Sequence, residues 1–272
     1  MAVQIVTDST SCIERAYAAA HRVELIPLTF SYQGREWEDG FAGESQDIFQ
    51  DKEQSFHTSQ PPVERFQRVF QAALDQGREV VAVLISAGLS GTANSARLAA
   101  GMTTAPSRIH IVDSQNTAIV LKFLVERAVE LAEAGRPAGE IEGELLGLAD
   151  RSNVLIAVRS LDYLHNGGRL TRVQAMLGSL LHICPIVTCV EGRAAMVGKV
   201  RLFRRSLEEV VRRIPATACR IGVGHIQCEA ETETMIELIA RRFPQLPISR
   251  EQVSPVVSAH LGPCIGVGYH WA

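Results

Sequence analysis

Long apolar runs, aromatic rings, paired cysteines and an excess of either charge are all scarce in this chain, and each scarcity removes a class of protein. The most apolar late stretch, roughly residues 175–190, is interrupted by His182 and Pro185 and is too short to span a bilayer, so no integral membrane protein is expected. The opening MAVQIVTDST reaches Asp8 before a signal-type apolar region could form, which argues against a secretory leader. Six cysteines (Cys12, Cys184, Cys189, Cys219, Cys228, Cys264) form no CxxC pair and no Cys/His cluster at zinc spacing, so no metal is expected and the thiols suit a reducing cytoplasm. Lys plus Arg is 27 against 30 Asp plus Glu, which gives no electrostatic case for a nucleic-acid partner. Gly167-Gly168-Arg169 and Gly198-Lys199 lack the glycine spacing of dinucleotide and Walker loops, so no nucleotide cofactor is expected. Internal repeats and low-complexity linkers are also missing.

What remains is an ordinary globular composition, 46% hydrophobic and 21% charged over 272 residues, a length that favours two domains or one large one. VQIVTDST reads as a strand, followed by SCIERAYAAAH, where Ser11 and Glu14 have capping-box spacing. VELIPLTFSY is a second strand with Pro27 marking an edge or a bulge. The segment from Gly34 to Phe56 is polar and loop-like, with weak apolar periodicity around Ile48. Residues 61–76 predict a helix opened by two prolines and closed by Gly77. EVVAVLISAGLSG is a continuous apolar run closing in a glycine turn, the mark of a strand buried on both faces. A helix over 92–102, the strand RIHIVDSQ and a helix over 118–134 complete a β-α-β-α order, which implies a parallel sheet covered by helices.

The chain changes character near residue 150. SNVLIAV is strand-like, NGGRLT a turn and RVQAMLGSLL helical, and PIVTCVEGRAAMVGKV reads as a hairpin turning at Glu191-Gly192. A basic helix over 206–214, the strand CRIGVGHI, the helix ETETMIELIARRF and a final strand pair around SPVVSAHLGP and CIGVGYHW follow. The expected fold is therefore α/β with two lobes: a parallel-sheet α/β lobe over 1–150 and a smaller mixed α+β lobe over 151–272.

Three turns in the first lobe share one design. Asp8-Ser9-Thr10-Ser11, Thr58-Ser59-Gln60-Pro61 and Ser86-Ala87-Gly88-Leu89-Ser90-Gly91-Thr92 each carry hydroxyls from a strand or loop into a helix. At the carboxyl edge of a parallel sheet, helix N-termini and Ser/Thr hydroxyls point donors at a crevice, which suits a small anion such as a carboxylate or phosphate. Helix capping alone would use the same residues. Gly88-Leu89-Ser90-Gly91-Thr92 also misses the G-x-S-x-G nucleophile elbow by its last place, with Asp113 and His260 downstream, so a serine esterase using Ser90 and His260 is the alternative. A phosphotransferase is disfavoured, because no acidic pair for Mg²⁺ stands near a glycine-rich loop. Lys199, Arg201, Arg204 and Arg205 form a basic cluster at a strand-to-helix junction, either a solvated face or a docking patch or phosphate clamp.

The ordered set of DST at Asp8, TSQP at Thr58, GLSGT at Gly88, DS at Asp113, GGRL at Gly167, KVR at Lys199 and HLGP at His260 resembles the DegV family of bacterial fatty-acid-binding proteins over nearly the whole chain. The resemblance implies two α/β lobes with a long-chain fatty acid (palmitate, stearate or oleate) between them, and no catalysis of the protein's own. Carried over by position, Thr58 and Ser90 would bind the carboxylate with His260 beside it, while Ser59, Gly91 and Thr92 would add donors. Arg169 and Arg201 match family arginines, and Arg201 is assigned to engaging a fatty acid kinase. That kinase would make an acyl phosphate for phospholipid synthesis. A cytoplasmic monomer is expected, not integral to a membrane but able to contact one transiently. Two positions depart from the pattern: Cys12 stands where the family often has Asp, and Cys264 where HxGPG has its last glycine. The second puts the placing of His260 in question.

The physical case is independent of the likeness. Burying about 15 methylenes at roughly 0.8 kcal/mol each gives on the order of 12 kcal/mol of gross driving force, of which chain ordering takes back a large share. A buried carboxylate needs hydrogen-bond donors, and neutral hydroxyls supply them.

Overall fold

The computed structural model describes residues 2–32, 35–42, 57–169 and 183–272. In the first half, β1 (Val3–Asp8), β2 (Glu24–Ile26), β6 (Glu79–Leu84) and β7 (Ile109–Asp113) form a sheet in the order β2-β1-β6-β7. Every pairing in it is parallel. The strand period of two divides the side chains between two cores. Val80, Ala82 and Leu84 pack with Phe66, Phe70 and Ala96 of α2 (Val63–Asp75) and α3 (Thr92–Gly101). Val81 and Val83 face the other way, onto Leu121, Leu124, Ile141 and Leu145 of α4 (Ala118–Glu133) and α5 (Ala138–Ala149).

The second half forms a six-stranded sheet in the order β10-β9-β8-β13-β11-β12, from β8 (Ser152–Val158), β9 (Cys184–Val190), β10 (Arg193–Val200), β11 (Ala218–Ile226), β12 (Ile248–Glu251) and β13 (Cys264–Trp271). All its pairings are antiparallel except β11 with β12. One face is covered by α7 (Phe203–Arg213) and α8 (Glu229–Arg242), whose Leu207, Val210, Met235 and Ile239 lie against Ile221, Val223 and Val267. The other face receives α4. A Cβ at Gly268 would stand 2.6 Å from Ile119 Cγ2, so the missing side chain lets that helix lie close to the strand. Helix α4 is thus shared by both sheets.

An ion pair closes this junction. Lys122 Nζ of α4 lies 2.7 Å from Glu251 Oε2 of β12, with side chains only 12% and 4% exposed. Removing one partner leaves a buried charge unpaired, so Glu251→Gln is expected to cost about 3–5 kcal/mol, read as a lower urea midpoint at unchanged m value.

Several sequence expectations need correction. SPVVSAHLGP is not a strand: Ser254 accepts from Val257 N–H and Pro255 opens a helix, α9 (Pro255–Leu261). Proline at the first helical position after a serine cap favours that outcome. Ser11 forms no capping box, because Ser9–Ser11 is a 3₁₀ turn capped by Asp8, and α1 (Arg15–His21) begins only after Glu14. VELIPLTFSY breaks at Pro27 into edge strand β2 and β3 (Thr29–Tyr32). Strand β3 pairs instead with β4 (Arg35–Glu38) and β5 (His57–Ser59) in a small antiparallel sheet. Helices α5 and α6 (Asp162–Asn166) and strands β4, β5 and β12 were not anticipated. The hairpin turn at Glu191-Gly192 is as expected, with φ of 49° and 71°. The helix expected over RVQAMLGSLL and the periodicity around Ile48 lie outside the described residues. Among the described residues no helix is long and apolar enough to cross a membrane.

Candidate functional site

A cavity, part of it open to solvent, lies where the carboxyl edge of the parallel sheet meets the second sheet and α9. Its walls are mostly aliphatic: Ile85 and Leu89 after β6, Val154 and Ile156 of β8, Val187 of β9, Ala194 of β10, and Val256, Val257 and Leu261 of α9. Among the described residues no Phe, Tyr or Trp lines it. Such a wall offers an alkyl chain contact without directional demands.

Polar groups from several elements also line it. Strand β5 carries Thr58, whose Oγ1 lies 2.8 Å from His260 Nε2 of α9. Burial, with a smaller push from Arg169, depresses His260 to about 4, so its imidazole is neutral at physiological pH. Its Nδ1 is buried without a hydrogen-bond partner, and a Cβ at Gly167 would lie 2.3 Å from that atom. An imidazole protonated at Nε2 leaves only a lone pair at Nδ1, which costs less than an unpaired N–H. In that tautomer Nε2–H donates to Thr58 Oγ1, and the threonine hydroxyl is free to donate onward into the cavity.

Ser90 follows β6 in the turn into α3. Its N–H donates to Ser86 O, its Oγ lies 2.9 Å from Thr92 Oγ1, and Thr92 N–H donates to Ser90 Oγ at 3.3 Å. Thr58, Ser59, Ser90, Arg169 and His260 all line the cavity. Gly91 and Thr92 do not; they form the cap and first turn of α3 beneath Ser90. The side chain of Gln60 rests on Gly91, where a Cβ would come within 1.7 Å of Gln60 Oε1, and its Nε2 donates to Ser95 Oγ. Arg169 donates to Leu89 O and Gly167 O. Burial lowers its pKa, and no carboxylate pairs with it among the described residues. Arg201 lies elsewhere, exposed at the end of β10 and apart from the cavity.

The hydrolase geometry is not assembled. His260 is bonded to Thr58 rather than Ser90, and its Nδ1 has no acid behind it. Asp113 instead accepts from Gln115 N–H and Ala87 N–H, bracing the turns after β6 and β7. A serine nucleophile needs a base within hydrogen-bond reach and a group orienting that base, and neither is in place.

Sequence reasoning missed Thr117 and Thr188, which also line the cavity. Thr188 offered a faint signal as a hydroxyl within the apolar run of β9. The departure at Cys264 is harmless, because Cys264 is extended in β13 and the turn depends on Gly262 at φ 60°. A Cβ at Gly262 would stand 2.3 Å from the Tyr163 ring. Gly262→Ala combines backbone strain with that clash, so a loss of about 2–4 kcal/mol is expected, with Tm as the measure. Cys12 also takes a left-handed conformation, at φ 55°, and its Sγ accepts from Ser254 N–H.

Comparison with known proteins gives a consistent answer. The family model described as "Uncharacterised protein, DegV family" matches residues 2–271. A DegV domain-containing protein of Clostridium acetobutylicum is 30% identical over 282 residues, covering 99% of this chain and 98% of its own. A solved structure described as fatty acid binding of a DegV family protein from Thermus thermophilus superposes with a TM-score of 0.87 at 30% identity, covering 100% of both chains. A stearic-acid-binding protein from Eubacterium ventriosum has a TM-score of 0.87 over 99% of this chain and 98% of its own, and at 24% identity it speaks for the fold alone.

Proposed function

The chain belongs to the DegV family, and from that premise we propose that it binds a long-chain fatty acid in the cavity between its two sheets without transforming it. One observation carries this reading: an aliphatic cavity lined also by Thr58 and Ser90, which carry hydroxyls, and by a neutral His260. Hydroxyls can donate to a carboxylate, and the aliphatic wall can take its tail. The likeness to the Thermus thermophilus protein, described as fatty-acid-binding, supports the same ligand class.

In the bound state Thr58 Oγ1–H and Ser90 Oγ–H would donate to the carboxylate, with His260 holding Thr58 in its donating orientation. Ser59 would add a donor at the rim, while Gly91 and Thr92 would shape the Ser90 turn. Arg169 would supply a positive charge near the head group. Arg201, exposed beside Lys199, Arg204 and Arg205, would meet a separate fatty acid kinase. That kinase would convert the presented carboxylate into an acyl phosphate for phospholipid synthesis. Six free thiols suit a reducing cytoplasm. The change of sheet between β7 and β8 supports a lobe boundary near residue 150, α4 and α5 being its bridge.

Native mass spectrometry of protein purified from cells is expected to show a co-bound species of fatty-acid mass. Delipidated protein should take up palmitate, stearate or oleate in a one-to-one complex. A ligand-free preparation that binds none of the three would end the proposal.

A further inference from the structure

Beneath the cavity lies a second polar group of side chains that the ligand reading leaves unused. Asp39, which follows β4, has no exposure to solvent, and neither has Asp8 at the end of β1. Asp8 is well bonded, accepting from Thr10 N–H, Thr10 Oγ1–H and Ile85 N–H at 2.6–2.9 Å. Asp39 is not. Both its carboxyl oxygens are buried without a well-formed hydrogen bond, although the hydroxyls of Ser9 and Ser254 and the N–H of Val256 face it. Its own N–H donates to Leu28 O, and Leu28 N–H donates to Ser9 Oγ. The carboxyl therefore sits where the turn after β1, strand β3 and the start of α9 converge. Three residues of that meeting point, Thr10, Leu28 and Val256, line the cavity, and α9 goes on to carry Val257, His260 and Leu261 into its wall.

Among the described residues no cation pairs with Asp39. Asp8 is its charged neighbour from β1, and Cys12, from the loop after it, is held as a thiol by burial. Lys122 of α4 acts on Cys12, but its ammonium is engaged by Glu251, with Glu14 at 4.0 Å. An ionised Asp39 would be an uncompensated buried charge beside a second carboxyl, whereas a protonated one can donate to a hydroxyl oxygen and accept from Ser254 and Val256.

We propose that Asp39 is a positioning residue whose bound proton seats α9 against the turn after β1, so that ligand affinity falls when the proton is lost. Burial, with a smaller push from the Asp8 charge, raises Asp39 to about 7, and burial alone raises Asp8 to about 6, which places the transition within the physiological range. A group with a raised folded pKa supports the seated state below that value and ceases to do so as pH rises through it. His260 does not titrate in this window, because its own value lies near 4.

The inference rests on the fatty-acid reading, and the experiment separates the two. Delipidated protein is titrated calorimetrically with monomeric oleate between pH 6 and 8.5, as wild type, Asp39→Asn and Ser254→Ala. Wild-type affinity is expected to weaken roughly tenfold across the range, while Asp39→Asn keeps one affinity throughout. In Ser254→Ala the loss of a hydroxyl that favours the ionised carboxyl should move the midpoint to higher pH. This second variant decides the matter if Asp39→Asn does not fold. A flat wild-type profile, the same slope in Asp39→Asn, or an unmoved midpoint in Ser254→Ala overturns the assignment and leaves fatty-acid binding standing. Failure to bind oleate at any pH overturns both.

Discussion

Thr58→Ala combined with Ser90→Ala is expected to weaken fatty-acid binding by two to three orders of magnitude while leaving the fold intact. Hydrogen bonds to a charged group are worth about 1.5–3 kcal/mol each, and both substitutions strip donors from a carboxylate that has left water. Thr58 is half-buried on the short strand β5, and Ser90 sits in a turn, so neither removal opens a core cavity. Their effects should not simply add. Thr58→Ala alone also frees His260 Nε2–H, which can then turn to the carboxylate itself, so the single variant should lose less than half of the double variant's free energy. A double-mutant cycle followed by calorimetry with oleate reads both numbers. Unchanged affinity in the double variant would remove these hydroxyls from the site.

Ala194→Phe should discriminate between acyl chains. Ala194 lies on edge strand β10 and lines the cavity, and a phenyl group there projects into space that the tail would use. Displacing four or five methylenes at roughly 0.8 kcal/mol each predicts a loss of about 3–4 kcal/mol for an eighteen-carbon acid, or a few hundredfold. A ten- or twelve-carbon acid, which has fewer methylenes to displace, should lose less. Equal losses for short and long acids would mean that the tail does not run past β10.

Strands β1, β6 and β7 and helices α2, α3 and α4 were legible because their strand and helix periods are uninterrupted. EVVAVLISAGLSG could hardly be anything but a central strand. Misreadings cluster where short-range signals compete. SPVVSAHLGP has β-branched residues typical of a strand, yet Ser254 and Pro255 start a helix, and the consequence is functional because that helix carries His260. Helix α5 was overlooked because glycines at 139, 143 and 147 dilute its apolar stripe.

Two of the three hydroxyl-rich segments, at Asp8 and Ser86, do follow strands of the parallel sheet, whereas Thr58 and Ser59 lie in β5 of the small antiparallel sheet, and the assembly of the three was not legible. Thr58 and His260 are 202 positions apart, and no local pattern announces that β5 and α9 meet. Asp39 was invisible for a different reason. In WEDGF it reads as one more acidic loop residue, and only the folded chain buries it.

The most direct test of the account is the electron density of crystals grown from protein purified with its cellular lipid. The account predicts a long unbranched tube between β6, β8, β9 and α9, its forked end within hydrogen-bond reach of Thr58 Oγ1 and Ser90 Oγ. Side chains filling that space, or a lipid whose head group lies away from both hydroxyls, would contradict it.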